Sequence, residues 1–180
     1  PRRALVVGRG TGMTAGAVTL HPEVKSVDLV EISPGVVEAS QFFSKENHLQ
    51  ESTGNKVSII LEDARNFLLG SDRRYDVITT DPIQPWKAGA GNLYTVEYFS
   101  LAKAHLNEDG RGVLAQWIPL YQMSWEDVQS ILVSLVEVFP HRQLWLTGYD
   151  LVLIGSENPI LLDENSLVSR VASEPVRSDL

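Results

Sequence analysis

Short runs of apolar, often β-branched residues alternate along the chain with segments whose apolar positions recur at helical spacing. We expect strands in five of the apolar runs, over residues 4–7, 27–30, 57–61, 75–79 and 112–116. Helical spacing and end signals predict helices between them, over residues 14–20, 34–43, 64–69 and 95–106. This alternation predicts a mostly parallel sheet whose crossover helices cover both faces.

The alternation of predicted strands and helices changes after residue 116. A helix predicted over 124–139 carries an apolar stripe that we interpret as core rather than as a partner surface, formed by Val128, Ile131, Leu132, Leu135, Val136 and Phe139. Residues 143–146 and 151–154 then form a hairpin signal across a short polar turn. A parallel sheet ending in an antiparallel hairpin predicts the α/β, Rossmann-like fold of class I S-adenosylmethionine-dependent methyltransferases. We expect residues 1–158 to form this domain and 159–180 a tail with one short helix.

Charge and composition narrow the classes of partner. Fifteen Lys and Arg against 23 Asp and Glu give a formal net charge of -8, which disfavours nucleic acid because such binding depends on basic residues. The chain has no cysteine, and its four histidines show no metal-ligand spacing, so we predict neither disulfides nor a metal site. No stretch reaches the ~20 apolar residues that span a bilayer. We expect a cytoplasmic segment without membrane contact of its own, with homodimerisation left open.

A glycine-rich turn, G-R-G-T-G over residues 8–12, follows the first predicted strand. The dinucleotide fingerprint is G-x-G-x-x-G, and Met13 occupies the place of its third glycine. The spacing G-x-G-x-G indicates S-adenosylmethionine or a relative, which carries an adenosine and an amino-acid tail but no pyrophosphate. A tight turn that binds no ligand is the alternative.

Carboxylates follow the next two strands. Glu31 can accept hydrogen bonds from both ribose hydroxyls of an adenosine, or it can cap the helix that begins near Ser33. Asp63 can accept a hydrogen bond from the adenine amino group while Ala64 leaves room for the ring, or it can cap the helix that follows. Because parallel strands end at one edge of a sheet, we expect both side chains near the glycine-rich turn.

The fourth strand ends at Asp81, which Pro82 follows. A carboxylate at this edge can hold a protonated amine and accept its proton as the lone pair attacks an electrophilic carbon. Capping of the following loop is the alternative role for Asp81. Trp86 and Tyr94 either line an acceptor pocket or pack against the proline-rich loop.

Several motifs in order resemble the spermidine synthase family of polyamine aminopropyltransferases. The similarity runs from about residue 4 to residue 119 and rests on G-R-G-T-G, on V-E-I over 30–32, on E-D-A over 62–64, on Y-D-V-I over 75–78, on Thr80-Asp81 and on L-Y-T over 93–95. The chain begins with Pro1 rather than Met, and its motifs look closest to spermidine synthase-like domains that some bacterial proteins carry after a membrane segment. We therefore interpret it as part of a larger, membrane-attached protein.

The resemblance implies an aminopropyl or methyl transfer from decarboxylated S-adenosylmethionine or S-adenosylmethionine, a co-substrate rather than a tightly bound cofactor, to an amine such as putrescine. It implies that the donor is bound by Gly8, Gly10, Thr11, Gly12, Glu31, Ile32, Asp63 and Ala64. It also implies that Asp81 accepts the proton of the attacking amine, with Gln84 and Tyr94 beside the acceptor.

Two positions depart from the family pattern. Thr11 replaces an aspartate that grips the aminopropyl ammonium of the donor, and Gln84 replaces a second aspartate that holds the diamine. A charge-assisted hydrogen bond contributes about 1.5 to 3 kcal/mol, so each loss bears on substrate choice. Two hypotheses follow: a transferase that uses Asp81 as its base, and a regulatory module that binds an adenosine thioether without efficient catalysis.

Overall fold

Seven strands form one mixed sheet in the computed structural model, which describes residues 3–49, 56–174 and 176–179. The strands are β1 (Arg3–Val7), β2 (Ser26–Glu31), β3 (Val57–Leu61), β4 (Val77–Thr80), β5 (Val113–Pro119), β6 (His141–Thr147) and β7 (Asp150–Ser156). They lie in the order β3-β2-β1-β4-β5-β7-β6. The strands β1 to β5 pair in parallel, whereas β7 is antiparallel to both β5 and β6. The predicted fold class and its C-terminal hairpin are confirmed.

The helices lie between these strands and in the tail. They are α1 (Met13–Leu20), α2 (Pro34–Ala39), α3 (Ala64–Leu69), α4 (Val96–Ala104), α5 (Trp125–Val138), α6 (Glu164–Val171) and α7 (Val176–Asp179). Side-chain oxygens accept hydrogen bonds from first-turn N–H groups at five of these helices, from Ser33, Asp63, Thr95, Ser124 and Asp163. Local polar residues therefore stabilise the starts of α2 to α6, whereas α1 follows Gly12 and has no side-chain cap.

Three expectations about the elements were wrong in detail. The predicted helix over 34–43 is α-helical only to Ala39 and continues as a 3-10 turn over Ser40–Phe43, where the Ser40 hydroxyl donates to the carbonyl of Val37. The tail contains two short helices rather than one. Val136 of the predicted core stripe is 52% exposed, because α5 buries only its narrower face of Val128, Ile131 and Leu135.

Two apolar clusters cover the two faces of the sheet. The larger one packs β-strand side chains such as Leu5 and Ile78 against α3, α4 and α5. The smaller one joins alternate residues of β1 and β2, such as Val6 and Leu29, to Ala15 of α1. All of β1 after Arg3 is buried, so the loop that leaves this strand starts from the centre of the sheet.

A charged group lies inside the larger cluster. Asp28 of β2 is 6% exposed, and its Oδ2 accepts a 2.7 Å hydrogen bond from the hydroxyl of Tyr75. Its Oδ1 lies 3.0 Å from a guanidinium nitrogen of Arg73. The buried carboxylate is therefore stabilised by one neutral and one charged donor. None of the described helices is long and apolar enough to cross a bilayer.

Candidate active site

The glycine-rich turn lies between the carboxyl ends of β1 and β4. Gly8, Gly10 and Gly12 all have positive φ, a conformation that glycine adopts without steric cost. The N–H of Gly8 donates to the carbonyl of Val30, and a Cβ atom on Gly8 would lie 2.6 Å from the carbonyl oxygen of Asp81. The absence of a side chain at position 8 therefore brings the turn against the segment that carries the predicted base.

Glu31 faces this turn. Its side chain is nearly buried, and Oε2 accepts a 2.8 Å hydrogen bond from the backbone N–H of Arg9, while Oε1 accepts one of the same length from Ser33. Ser33, not Glu31, caps α2, because its hydroxyl accepts from the N–H of Val36. Each carboxylate oxygen keeps a second lone pair for a ligand hydroxyl. The alternative of Glu31 as the helix cap is therefore wrong.

Asp63 and Ile32 lie past the adjoining ends of β2 and β3. Asp63 caps α3, since its Oδ1 accepts hydrogen bonds from the N–H groups of Arg65 and Asn66 at 2.9 and 3.1 Å. Its Oδ2 accepts none from the residues that the structure describes. Ala64 is 7% exposed, whereas Ile32 is 67% exposed beside Glu31. Asp63, which caps α3, and the exposed side chain of Ile32 thus lie at the same edge of the sheet. The cap uses only Oδ1 of Asp63, which leaves Oδ2 for a ligand.

Asp81 follows β4 and is exposed at the same edge. Its backbone N–H donates to the carbonyl of Val7, which continues the β1–β4 pairing one residue beyond the strand. Its Oδ2 accepts a 2.7 Å hydrogen bond from the hydroxyl of Thr14, in the first turn of α1. Within the described chain Oδ1 accepts no hydrogen bond. The carboxylate is therefore oriented through one oxygen and open at the other.

Tyr94 is buried near Asp81. Burial and, secondarily, the negative charge of Asp81 raise the pKa of its hydroxyl, while the Gln116 amide acts in the opposite direction. The hydroxyl of Tyr94 and Oε1 of Gln116 are both buried and lack a well-formed hydrogen bond to any described residue. Gln84 is half-buried in the loop after Asp81. All three side chains are uncharged polar groups, and none of them supplies a second carboxylate.

Two aromatic residues contact each other on the outer side of the loop that follows Asp81. Trp86 contacts Tyr121 edge to face, with 6.2 Å between the ring centroids. Behind Trp86 and Tyr94 a depression of about 450 Å³ runs along the first turns of α5. Larger depressions, of about 830 and 1220 Å³, lie around Arg3 and Arg74. The first also reaches Asn66 of α3, but neither is lined by Glu31, Asp63 or Asp81. Cavity size alone therefore does not identify this site, whereas the direct contacts do.

The structure brings the predicted site residues to one sheet edge. Glu31 contacts Arg9 of the glycine-rich turn, and Asp81 lies against Gly8 of the same turn. Asp63 and Ala64 lie past the end of β3, and Ile32 past the end of β2. The predictions did not include Thr14, which orients Asp81, or Asn47, whose Nδ2 donates to the carbonyl of Thr11. The only sequence signal for Asn47 was the glycine at position 16, inside a helical pattern, which indicates a close neighbour.

Comparison with known proteins shows which family and which fold this chain resembles. The family model described as "Spermine/spermidine synthase domain" matches residues 1–157. Spermidine synthase of Dictyostelium discoideum is 38% identical over 148 residues, which cover 82% of this chain and 51% of that protein. The chain spans about half the length, or less, of the curated relatives it matches.

Two solved structures share the fold. A spermidine synthase in complex with the transition state analogue AdoDATO has a TM-score of 0.73 at 19% identity, covering 88% of this chain and 54% of that one. Human methyltransferase-like protein 13 in complex with SAH has the same TM-score and identity, covering 99% of this chain and 82% of that one. Both structures hold an adenosine-derived ligand.

Proposed function

Because the chain belongs to the spermine/spermidine synthase family, we propose that it supplies the donor site and the base of an aminopropyltransferase. The donor is decarboxylated S-adenosylmethionine or S-adenosylmethionine, and the acceptor is a primary amine such as putrescine. The proposal concerns the full-length protein, since the chain spans about half of its relatives.

One observation carries the proposal: the backbone of Asp81 lies against Gly8 of the glycine-rich turn, and one oxygen of its carboxylate accepts no hydrogen bond from the described residues. The Gly8 contact and the Thr14 hydrogen bond connect Asp81 to both ends of the turn. A donor whose ribose is held by Glu31 would extend over residues 8–12. Its reactive carbon would then lie on the Asp81 side of the turn, where an amine could approach.

The proposed reaction is a nucleophilic substitution at the carbon next to the sulfonium. The amine lone pair forms the new N–C bond while the S–C bond breaks and its electron pair stays on sulfur. The product nucleoside is therefore a neutral thioether. Asp81 first holds the acceptor ammonium through Oδ1 and then accepts a proton from the nitrogen, which passes to water afterwards. Positioning by Thr14 keeps that oxygen directed outward.

Thr11 and Gln84 bear on which substrates this site prefers. Neither side chain supplies the negative charge that a second ammonium group would need. We propose that the site discriminates weakly between the decarboxylated and the carboxylated donor. Substitution of Gln84 by aspartate would then improve diamine binding if polyamines suit this pocket.

The test is product formation by the full-length protein. With decarboxylated S-adenosylmethionine and putrescine, release of methylthioadenosine should fall about 10²-fold or more in Asp81→Asn, while donor affinity stays within about threefold. Asp72→Asn, at an exposed position remote from the site, is the matched control. Equal turnover in Asp81→Asn and wild type would exclude Asp81 as the base.

A second function is favoured by the two missing carboxylates. A regulatory module would bind methylthioadenosine or S-adenosylmethionine through Glu31 and transfer nothing to any amine. Donor binding that depends on Glu31, together with turnover indistinguishable from the uncatalysed rate across a panel of amines, would support this function instead.

A further inference from the structure

Asn47 ties the glycine-rich turn to the segment after α2. Its side chain is 2% exposed, and Nδ2 donates to the carbonyl of Thr11 at 2.9 Å and to that of Ser40 at 3.2 Å. Its Oδ1 accepts a hydrogen bond from the N–H of Leu49 at 3.1 Å. Both amide hydrogens and the carbonyl oxygen of one buried side chain are thus used, two of these bonds holding backbone carbonyls together.

Two glycines make room for this side chain and its backbone. A Cβ atom on Gly12 would lie 3.0 Å from Nδ2 of Asn47, and one on Gly16 would overlap the Asn47 carbonyl oxygen. Residues 12 and 16 are four apart, so they lie on the same face at the start of α1. Gly16 has an ordinary helical backbone, and its lack of a side chain is explained by this close approach.

Arg9 extends the same connection toward Glu31. Its Nε donates a hydrogen bond to the hydroxyl of Ser40. The backbone carbonyl of Ser40 accepts one from Nδ2 of Asn47. The backbone N–H of Arg9 donates to Oε2 of Glu31. Hydrogen bonds connect Asn47 to Thr11 and Ser40, and Ser40 to Arg9. The position of the Arg9 N–H, and of the Glu31 carboxylate that it contacts, therefore depends on these bonds.

We propose that Asn47 is a positioning residue of the donor site, which sets the conformation of residues 9–12 and, through Arg9, the orientation of Glu31. This inference rests on the proposed function, because it assumes that the ligand of the glycine-rich turn is an adenosine thioether. Three positive-φ glycines give the turn little conformational preference of its own. Without the Asn47 amide, the carbonyls of Thr11 and Ser40 lose that donor and the turn samples other conformations.

The test uses Asn47→Asp in the full-length protein. This change keeps the shape and the acceptor for Leu49 but removes both N–H donors. We expect the dissociation constant for methylthioadenosine to rise at least tenfold by calorimetry. Hydrogen exchange of peptides covering residues 8–12 should be faster, while exchange in β4 and β5 stays unchanged. Asn165→Asp, at an exposed position of α6, is the matched control and should behave as wild type.

A second variant keeps the proposal falsifiable if Asn47→Asp does not fold. Gly16→Ala leaves the amide intact but pushes the Asn47 backbone away from α1, and it should reproduce the faster exchange and the weaker binding. Unchanged exchange at residues 8–12 would overturn the proposal, as would exchange that rises equally across the sheet. Hydrogen exchange is measured without ligand, so it tests the conformation of residues 8–12 even if the protein binds no methylthioadenosine. Absence of methylthioadenosine binding by the wild type would overturn the proposed function.

Discussion

The hydroxyl of Thr14 donates a 2.7 Å hydrogen bond to Oδ2 of Asp81 across 67 positions of sequence. Thr14 lies in the first turn of the helix that the glycine-rich turn leads into, and Asp81 lies past the end of the neighbouring strand. The orientation of the proposed base is thus set by a residue of the helix that begins where the glycine-rich turn ends.

Replacement of Thr14 by valine removes this hydrogen bond with little change of shape. We expect kcat for aminopropyl transfer to fall about tenfold, because the carboxylate becomes free to rotate, whereas the dissociation constant for methylthioadenosine stays within about twofold. Thr14→Ser keeps the hydroxyl and should restore kcat. The comparison is made by steady-state kinetics and calorimetry on the three proteins. A valine variant with wild-type kcat would contradict the orienting role.

Glu31→Gln tests the ribose assignment. The neutral amide cannot offer two charged acceptor oxygens, and its NH₂ group faces one of the N–H groups of Arg9 and Ser33. We expect methylthioadenosine affinity to fall about 10- to 100-fold, which corresponds to about 1.4 to 2.7 kcal/mol. Calorimetric titration measures the change, with Glu38→Gln on the exposed side of α2 as control. Unaltered affinity would refute the assignment.

Thr11→Asp tests donor selection. Wild-type protein should bind decarboxylated and carboxylated S-adenosylmethionine with affinities within about tenfold, because threonine offers no charge to the aminopropyl ammonium. The aspartate variant should favour the decarboxylated donor by a further factor of about 10 or more. Competition titrations with both donors give the two ratios. A hundredfold preference in the wild type would mean that another acid performs this function.

Tyr75→Phe should lower the stability of the fold and leave the candidate active site unchanged. Loss of the hydroxyl removes one of the two donors that hold the buried Asp28 carboxylate, which costs about 1 to 3 kcal/mol. Chemical denaturation measures the free energy of unfolding. Tyr121→Phe, at a 42% exposed position, is the control and should change little. If Tyr75→Phe matched wild type, Arg73 alone would suffice for Asp28.

Alkaline pH should destabilise the protein through three tyrosines. Burial raises the pKa of Tyr75, Tyr94 and Tyr98 above the usual value of 10.0. Above about pH 10 these side chains lose their protons in the unfolded chain but keep them in the folded one, so stability falls as pH rises. Each contributes a slope that approaches about 1.4 kcal/mol per pH unit once the unfolded tyrosine is fully deprotonated, and about half of that near pH 10.

Denaturation between pH 9 and pH 11 checks this slope. Tyr98 is fully buried, so its replacement by phenylalanine should reduce the slope by about one tyrosine's contribution, whatever the variant's stability at pH 7. Identical slopes for the variant and the wild type would show that Tyr98 does not take part.

Elements with strong local signals could be predicted from the sequence. The predictions for β3 and α3 coincide with the structure, because a β-branched run and an Asp63 cap mark their ends. The split of the helix after Ala39 could not be foreseen. It coincides with hydrogen bonds to Ser40 from Arg9, 31 positions away, and from Asn47, seven positions away, and no local helix-end signal indicates them.

The same distinction holds for the site. Strand ends were readable from the pattern, so Glu31 and Asp81 could be assigned to one edge. Thr14 and Asn47 belong to the site only through contacts across 67 and 36 positions, and neither residue type signals such a contact by itself. The structure fixes where these residues lie, but the ligand-binding and catalytic roles of Glu31 and Asp81 stay predictions, as do those of Asp63, Gln84 and Tyr94.

The antiparallel strand β7 leaves β6 as the outermost strand, and this has a consequence for handling the protein. Only β7 pairs with β6 among the described strands, and Leu144, Trp145 and Leu146 on β6 are each more than 40% exposed. An apolar strand without a partner on one side is a template for strand addition from another chain. We therefore expect self-association at high concentration to involve this edge, and Leu144→Lys or Leu146→Lys to reduce it.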